Sequence, residues 1–170
     1  MTELIAKHSN VPPAEAQVLD AGVGTGVQAT DLSNAGFQSV TGIDIWQGGL
    51  EHAQKRGFYR VLQQADLQKP LPAAACPEAS FDIVICVGVL TYIKPESCCL
   101  SELLRVCKRG GIICYTNRTD KLEAWHAVEQ ALVASGAWEL VARTERVPYL
   151  PHNQEFGRDT EIVISTWRKL

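Results

Sequence analysis

The stretch Val18-Leu-Asp-Ala-Gly-Val-Gly-Thr-Gly26 decides how the rest of the chain is read. Two apolar residues run into an acid, and three glycines follow at alternate positions. A helix-like segment from Val27 to Ala35 then closes on Gly36. This order predicts a strand, a sharp turn and a helix, the unit from which parallel sheets with helical crossovers are made. Glycines there let the chain turn tightly and bring backbone N–H groups close to a ligand. An ordinary tight strand-to-helix turn is the plainer alternative.

Outward from this unit the alternation continues. Val40-Thr-Gly-Ile43 predicts a second strand ending at Asp44, and Leu50 to Arg56 a short helix closed by Gly57. Tyr59 to Leu62 predicts a third strand. Pro70, Pro72 and Pro77 mark a loop over residues 67–80. Phe81 to Val89 is nearly continuous in apolar residues, as expected of a parallel strand covered on both faces. From Pro95 the pattern turns helical, with Leu100, Leu103, Leu104 and Cys107 on one face. Arg109-Gly110-Gly111 is expected to end that helix before a fifth strand, Ile112 to Thr116. Leu122, Trp125, Val128 and Leu132 describe a last helix stopped at Gly136, with Trp125 and Trp138 in packing roles. Two strands, Glu139 to Val147 and Thr160 to Trp167, close the chain as antiparallel neighbours. The expectation is a single α/β domain over residues 1–170: a doubly wound, mostly parallel sheet with helices on both faces.

Composition narrows the function classes. The chain has 170 residues, 46% hydrophobic and 21% charged, with a formal charge of −3. That balance is globular and argues against broad nucleic-acid or membrane-surface binding, which needs clustered cations. Lys55-Arg56 and Lys108-Arg109 are the richest basic pairs, and both are expected at helix ends. Met1 to Val11 holds no secretory apolar run, and no stretch approaches a bilayer span. The six cysteines form no C-x-x-C pair, so thiols in a reducing, cytoplasmic (or by diffusion nuclear) compartment are expected rather than a metal site or disulfide framework.

Three acids give the turn its chemistry. A dinucleotide site wants G-x-G-x-x-G, but the third glycine arrives one residue early at Gly26. Asp20 at the mouth of the turn would repel a pyrophosphate, yet it suits a ligand carrying an ammonium and a sulfonium. The pair favours S-adenosylmethionine. Asp44, about twenty residues beyond the turn, is placed to accept from both ribose hydroxyls; a capping or turn role is the alternative. Asp66 is placed to meet an adenine amino group, or it is simply a turn residue. All three stand at expected strand carboxyl ends, where open α/β sheets bind ligands.

In these pieces the chain resembles the class I S-adenosylmethionine-dependent methyltransferases. The resemblance rests on Val18 to Gly26, Gly42-Ile-Asp44, Ala65-Asp-Leu67, Phe81-Asp-Ile-Val84 and Leu104-Arg-Val-Cys-Lys-Arg-Gly-Gly111, in the family's order across roughly residues 17 to 117. Ile85 to Leu90 and the segment after it look most like a methyltransferase-like branch of that family. The resemblance implies a seven-stranded sheet in the order 3-2-1-4-5-7-6 with strand 7 antiparallel. It implies that Asp20, Ala21, Gly22, Gly24, Thr25 and Gly26 hold the methionine end of the cofactor. Asp44 would hold the ribose, Ile45 and Leu67 would flank adenine, Asp66 would meet its amino group, and Val87 would lie beside the transferred methyl. Two departures stand out. Only about sixteen residues precede the first strand, room for one short helix, so the covering segment is expected to be short or absent. Trp46 follows the ribose acid where smaller residues are usual, either to stack on adenine or to pack over the rim.

Methyl transfer needs alignment and exclusion of water more than acid–base chemistry, and no catalytic base is assigned. Thr91, Tyr92, Asn117, Arg118, Tyr149 and His152 are the acceptor-side candidates, His152 with an idle surface role as its alternative. Gly88-Val-Leu-Thr-Tyr92 stands where amino-methylating enzymes of nucleic-acid bases carry an Asn-Pro-Pro-Tyr-like stretch, which leaves a small-molecule or protein acceptor. Two further hypotheses remain: a cofactor-binding regulatory module without catalysis, and a nucleotide-dependent oxidoreductase, which the glycine spacing and Asp20 disfavour.

Overall fold

The computed structural model describes residues 1–149 and 160–170. Strands β1 (Gln17–Ala21), β2 (Ser39–Asp44), β3 (Val61–Gln64), β4 (Phe81–Cys86) and β5 (Cys107–Arg118) are followed by β6 (Trp138–Arg143), β7 (Val147–Pro148) and β8 (Glu161–Lys169). Helices are α1 (Thr2–His8), α2 (Gln28–Asn34), α3 (Gln47–Lys55), α4 (Cys99–Val106) and α5 (Leu122–Ala134). The strands form one sheet in the order β3-β2-β1-β4-β5-β8-β6, with β7 paired beside β8. The first five run parallel, and β8 runs antiparallel to both β5 and β6. β8 therefore takes the place expected for the seventh strand. The two-residue β7 is an addition, made where the expected strand 139–147 breaks and its end pairs Val147 with Ile162.

Period-two alternation explains why both faces are covered. Val18, Ile83, Ile85, Ile112 and Cys114 face one core with Ile5 of α1 and Leu32 of α2. Leu19, Ala21, Val84, Cys86, Ile113 and Tyr115 face the other, against Leu100 and Leu103 of α4 and Trp125 of α5. Trp138 stacks on Trp167 with ring centroids 4.3 Å apart. Buried Glu129 on α5 is answered there, accepting from Tyr115 Oη at 2.6 Å and Arg143 Nη2 at 2.8 Å. Trp125 and Trp138 are thus buried, in line with the packing roles expected of them.

α3 begins at Gln47 rather than Leu50, and three strand boundaries differ from expectation for a tertiary reason. β3 begins two residues late and includes Gln63 and Gln64, because an exposed edge strand needs no apolar run. β4 ends at Cys86 rather than Val89. Gly88 takes φ +73 and donates its N–H to Thr116 Oγ1 at 2.7 Å, turning residues 87–93 across the strand ends. β5 begins at Cys107, before the glycine pair rather than after it. The register shifts between Phe81↔Cys107 and Ile83↔Ile112, and a Cβ at Gly111 would lie 2.8 Å from Asp82 O. Gly110-Gly111 is thus a bulge inside a strand. Lys108, expected at a helix end, instead pairs with Asp82 at 2.9 Å.

Candidate functional site

A cavity of about 480 Å³ opens at the carboxyl ends of the parallel strands, within the size range of small-ligand sites. Gly22 and Gly24 from the turn, Asp44 and Ile45 from the end of β2, and Ala65 to Gln68 after β3 form one side. Val87, Gly88, Val89, Tyr92, Ile93 and Tyr149 form the other.

The glycine turn is required by space as well as by backbone conformation. Gly22 has φ +86, and a Cβ there would run into Val89 Cγ2. Gly49, at the start of α3, lets that helix close on the turn; a Cβ would stand 2.8 Å from Gly24 O. Asp44 fastens the two pieces. Its Oδ2 accepts from Gly24 N at 2.7 Å and its Oδ1 from Trp46 N at 2.8 Å. Each oxygen keeps a further lone pair, so the turn role and a ligand-accepting role coexist in one side chain. Asp66 behaves alike: Oδ1 accepts from Gln68 N at 3.0 Å while the residue lines the cavity.

Of the residues expected at the cofactor, Gly22, Gly24, Asp44, Ile45, Asp66, Leu67 and Val87 line this cavity, and of the acceptor candidates Tyr92 and Tyr149 do. Asp20 and Ala21 are sealed within β1. Thr25 and Gly26 lie past the lining, where Thr25 O accepts from Arg56 Nε at 2.7 Å. Thr91 sits in the 3-10 turn Leu90–Tyr92 off the wall. Asn117 is buried with neither side-chain polar atom partnered among the described residues. Arg118 is held by Asp120 through two hydrogen bonds of 3.0 and 2.9 Å. His152 lies outside the described residues. Trp46 folds over the first turn of α3, its Nε1 2.9 Å from where a Gly48 Cβ would be, and it stacks on His52. It is 56% exposed and is not among the described residues that line the cavity.

Sequence reading missed six participants, Ala65 and Gly88 of the lining among them. Gly49 sits in an unremarkable Gly-Gly pair whose meaning depends on Gly24. Gln68, Val89 and Ile93 looked like loop or strand. Tyr149 Oη, poised 2.9 Å from a Cβ position on Gly88, is desolvated, and its pKa is raised by burial and by Tyr92 against Arg118.

The donor set fits a cationic adenosyl compound. The described lining carries two carboxylates and no lysine or arginine, unlike a pyrophosphate site. Ile45, Ala65 and Leu67 give apolar walls for a flat base. The turn that a Cβ at Gly22 would fill offers exposed backbone to the other end.

Comparison with known proteins agrees. Residues 19–115 match the methyltransferase domain family, and the chain belongs to it, in the class I S-adenosylmethionine-dependent group. Over 134 residues it is 39% identical to methyltransferase-like protein 27 of Homo sapiens, covering 75% of this chain and 53% of that one. It is 32% identical over 115 residues to a ubiquinone biosynthesis O-methyltransferase of Albidiferax ferrireducens, covering 65% and 45%. The chain spans about half the length of these relatives. An S-adenosylmethionine-dependent methyltransferase of Mesorhizobium loti superposes with TM-score 0.67 at 15% identity, covering 94% of this chain and 93% of that one. That last likeness shows the fold alone.

Proposed function

We infer that this protein transfers a methyl group from S-adenosylmethionine to a small-molecule or protein acceptor. The observation that carries the reading is the cavity where Gly22, Gly24, Asp44, Asp66 and Leu67 meet at the sheet's carboxyl rim. When bound, the cofactor supplies a sulfonium-activated methyl. The chain's own part is binding, orientation and exclusion of water. Asp44 accepts from the ribose while keeping the glycine turn fixed. Leu67 and Ile45 flank the base, and Asp66 accepts from its amino group. Val87 and Gly88 border the methyl-bearing end, and Tyr92 and Tyr149 frame the approach of the acceptor.

The buried thiols are not candidates for the chemistry. Burial pushes Cys76 and Cys114 up to about 11, and Cys99 and Cys107 up to about 12. All six cysteines are free; the reading of a reducing, cytoplasmic setting rests on cysteine spacing without a C-x-x-C pair. No helix among the described residues is long and apolar enough to cross a membrane. Residues 1–170 are read as one domain, since every strand described joins one sheet.

Calorimetric titration with S-adenosylmethionine, S-adenosylhomocysteine and NAD tests the cofactor. Micromolar binding of the adenosyl pair without NAD is expected; the reverse would overturn the reading. A radiolabelled-methyl screen against metabolite and protein pools tests turnover. Label transfer to an acceptor is expected, and persistent silence despite tight cofactor binding would favour the regulatory module instead.

A further inference from the structure

Asp20 stands one residue before the end of β1, sealed from solvent and behind the cavity wall. Its Oδ2 accepts from Tyr59 Oη at 2.8 Å, while its Oδ1 meets no donor among the described residues. A buried carboxylate with one oxygen wholly unanswered is costly to ionise. Burial accordingly pushes its pKa up to about 7, opposed by the Tyr59 hydrogen bond and reinforced by Asp44.

Tyr59 reaches this position from the segment before β3 by passing under Gly42, the residue paired with Asp20 across β1 and β2. A Cβ on Gly42 would lie 3.1 Å from Tyr59 Cδ1 and 2.7 Å from Leu62 Cδ2, so the notch is kept by the missing side chain. The ionisable groups around the pair come from several elements. Asp44 at the end of β2 and the Cys86 thiol on β4 feel Asp20, and Arg56 beyond α3 acts on Tyr59. The cation in this set therefore faces the phenol, and none among the described residues acts on Asp20.

We propose that Tyr59 is a positioning residue for the cofactor: by holding Asp20 behind the glycine turn, it couples uptake of a cationic adenosyl sulfonium to release of a proton and lets the site distinguish that cation from its uncharged thioether product. This rests on the cofactor reading above. A sulfonium bound across the turn favours the ionised acid through a low-dielectric interior, where charges act strongly without contact. S-adenosylhomocysteine has lost that charge and gains little from the ionised acid. The Tyr59 hydroxyl sets where the change occurs, because it donates to the ionised oxygen and so favours that form.

The experiment titrates the 170-residue chain with both adenosyl compounds from pH 6 to 8. Buffers of different ionisation enthalpy count the protons released. S-adenosylmethionine affinity should climb about tenfold over that range while S-adenosylhomocysteine affinity stays nearly level, with about half a proton released near pH 7. Tyr59→Phe, shown folded by its thermal transition, should move the climb to higher pH by about one unit, and Asp20→Asn should abolish it. Binding of both compounds with no pH dependence and no proton release in the wild type overturns the proposal and leaves the cofactor reading intact. So does a folded Tyr59→Phe with the wild-type profile. No binding of either compound at any pH overturns both. The wild-type proton count decides the matter even if Tyr59→Phe fails to fold.

Discussion

Along the β1–β3 half of the cavity, polar atoms are fixed by backbone: Asp44 is tied to Gly24 N and Trp46 N, and Asp66 to Gln68 N. Along the β4–β5 half, one backbone tie, Gly88 N to Thr116 Oγ1, holds a run of apolar and aromatic side chains, with Tyr92 69% exposed at its edge. The first half is a preformed cradle in which small displacements break hydrogen bonds. The second is an adaptable wall whose chemistry lies in ring faces and one desolvated hydroxyl. A family that keeps one cofactor and changes acceptors would be served by this division, since rigid elements hold what is constant and loops carry what varies.

The comparison can be broken first through Asp20, the most deeply buried acid of the first half. Its pKa is raised in the folded state above the ordinary carboxylate value, so the folded protein binds more protons than the unfolded chain between about pH 4 and 7. Stability is therefore lost as pH rises through that window, and the loss is complete above about 7. Asp20→Asn should gain on the wild type by an amount on the order of 4 kcal/mol at pH 8 relative to pH 4. Urea midpoints at the two pH values read it, and the fixed cost of burying an amide cancels in the difference. An equal effect at both values would mean Asp20 is ionised throughout.

Next is Asp44→Ala, which removes both backbone anchors and the proposed ribose acceptor. Cofactor affinity should fall by about 1.5–3 kcal/mol, measured by calorimetry on a folded variant. An unchanged dissociation constant would make Asp44 a turn residue alone. In the second half, Thr116→Val strands the Gly88 N–H and should cost about 1–2 kcal/mol in chemical denaturation. Its effect should fall on the acceptor's KM more than on cofactor affinity. Smallest is Tyr92→Ala, whose exposed ring should change stability by no more than about 0.5 kcal/mol. Cofactor affinity should hold while acceptor KM rises; a fall in cofactor affinity instead would erase the distinction between the halves.

The cradle was legible because local turn chemistry writes it. Val18 to Gly26 encodes strand and turn within nine residues with the helix directly after, Asp44 closes a short apolar segment, and Asp66 follows shortly after the third strand. The other half was only partly legible. Val87 to Val89 read as the continuation of β4, since nothing local reveals that Gly88 turns toward Thr116, twenty-eight residues away. Asn117 and Arg118 stood at the right strand end, but alternation sent one into the interior and Asp120 captured the other.

What the sequence by itself determined is the parallel α/β order, the glycine turn, and the acids at the strand ends, because periodicity and turn residues act over a few neighbours. Only tertiary structure decided that Gly110-Gly111 is a bulge, that Gly49 makes room for Gly24, and that Tyr59 lies under Gly42 to meet Asp20. Each of these depends on the space between segments far apart in the chain, and that space exists only once the sheet has closed its register.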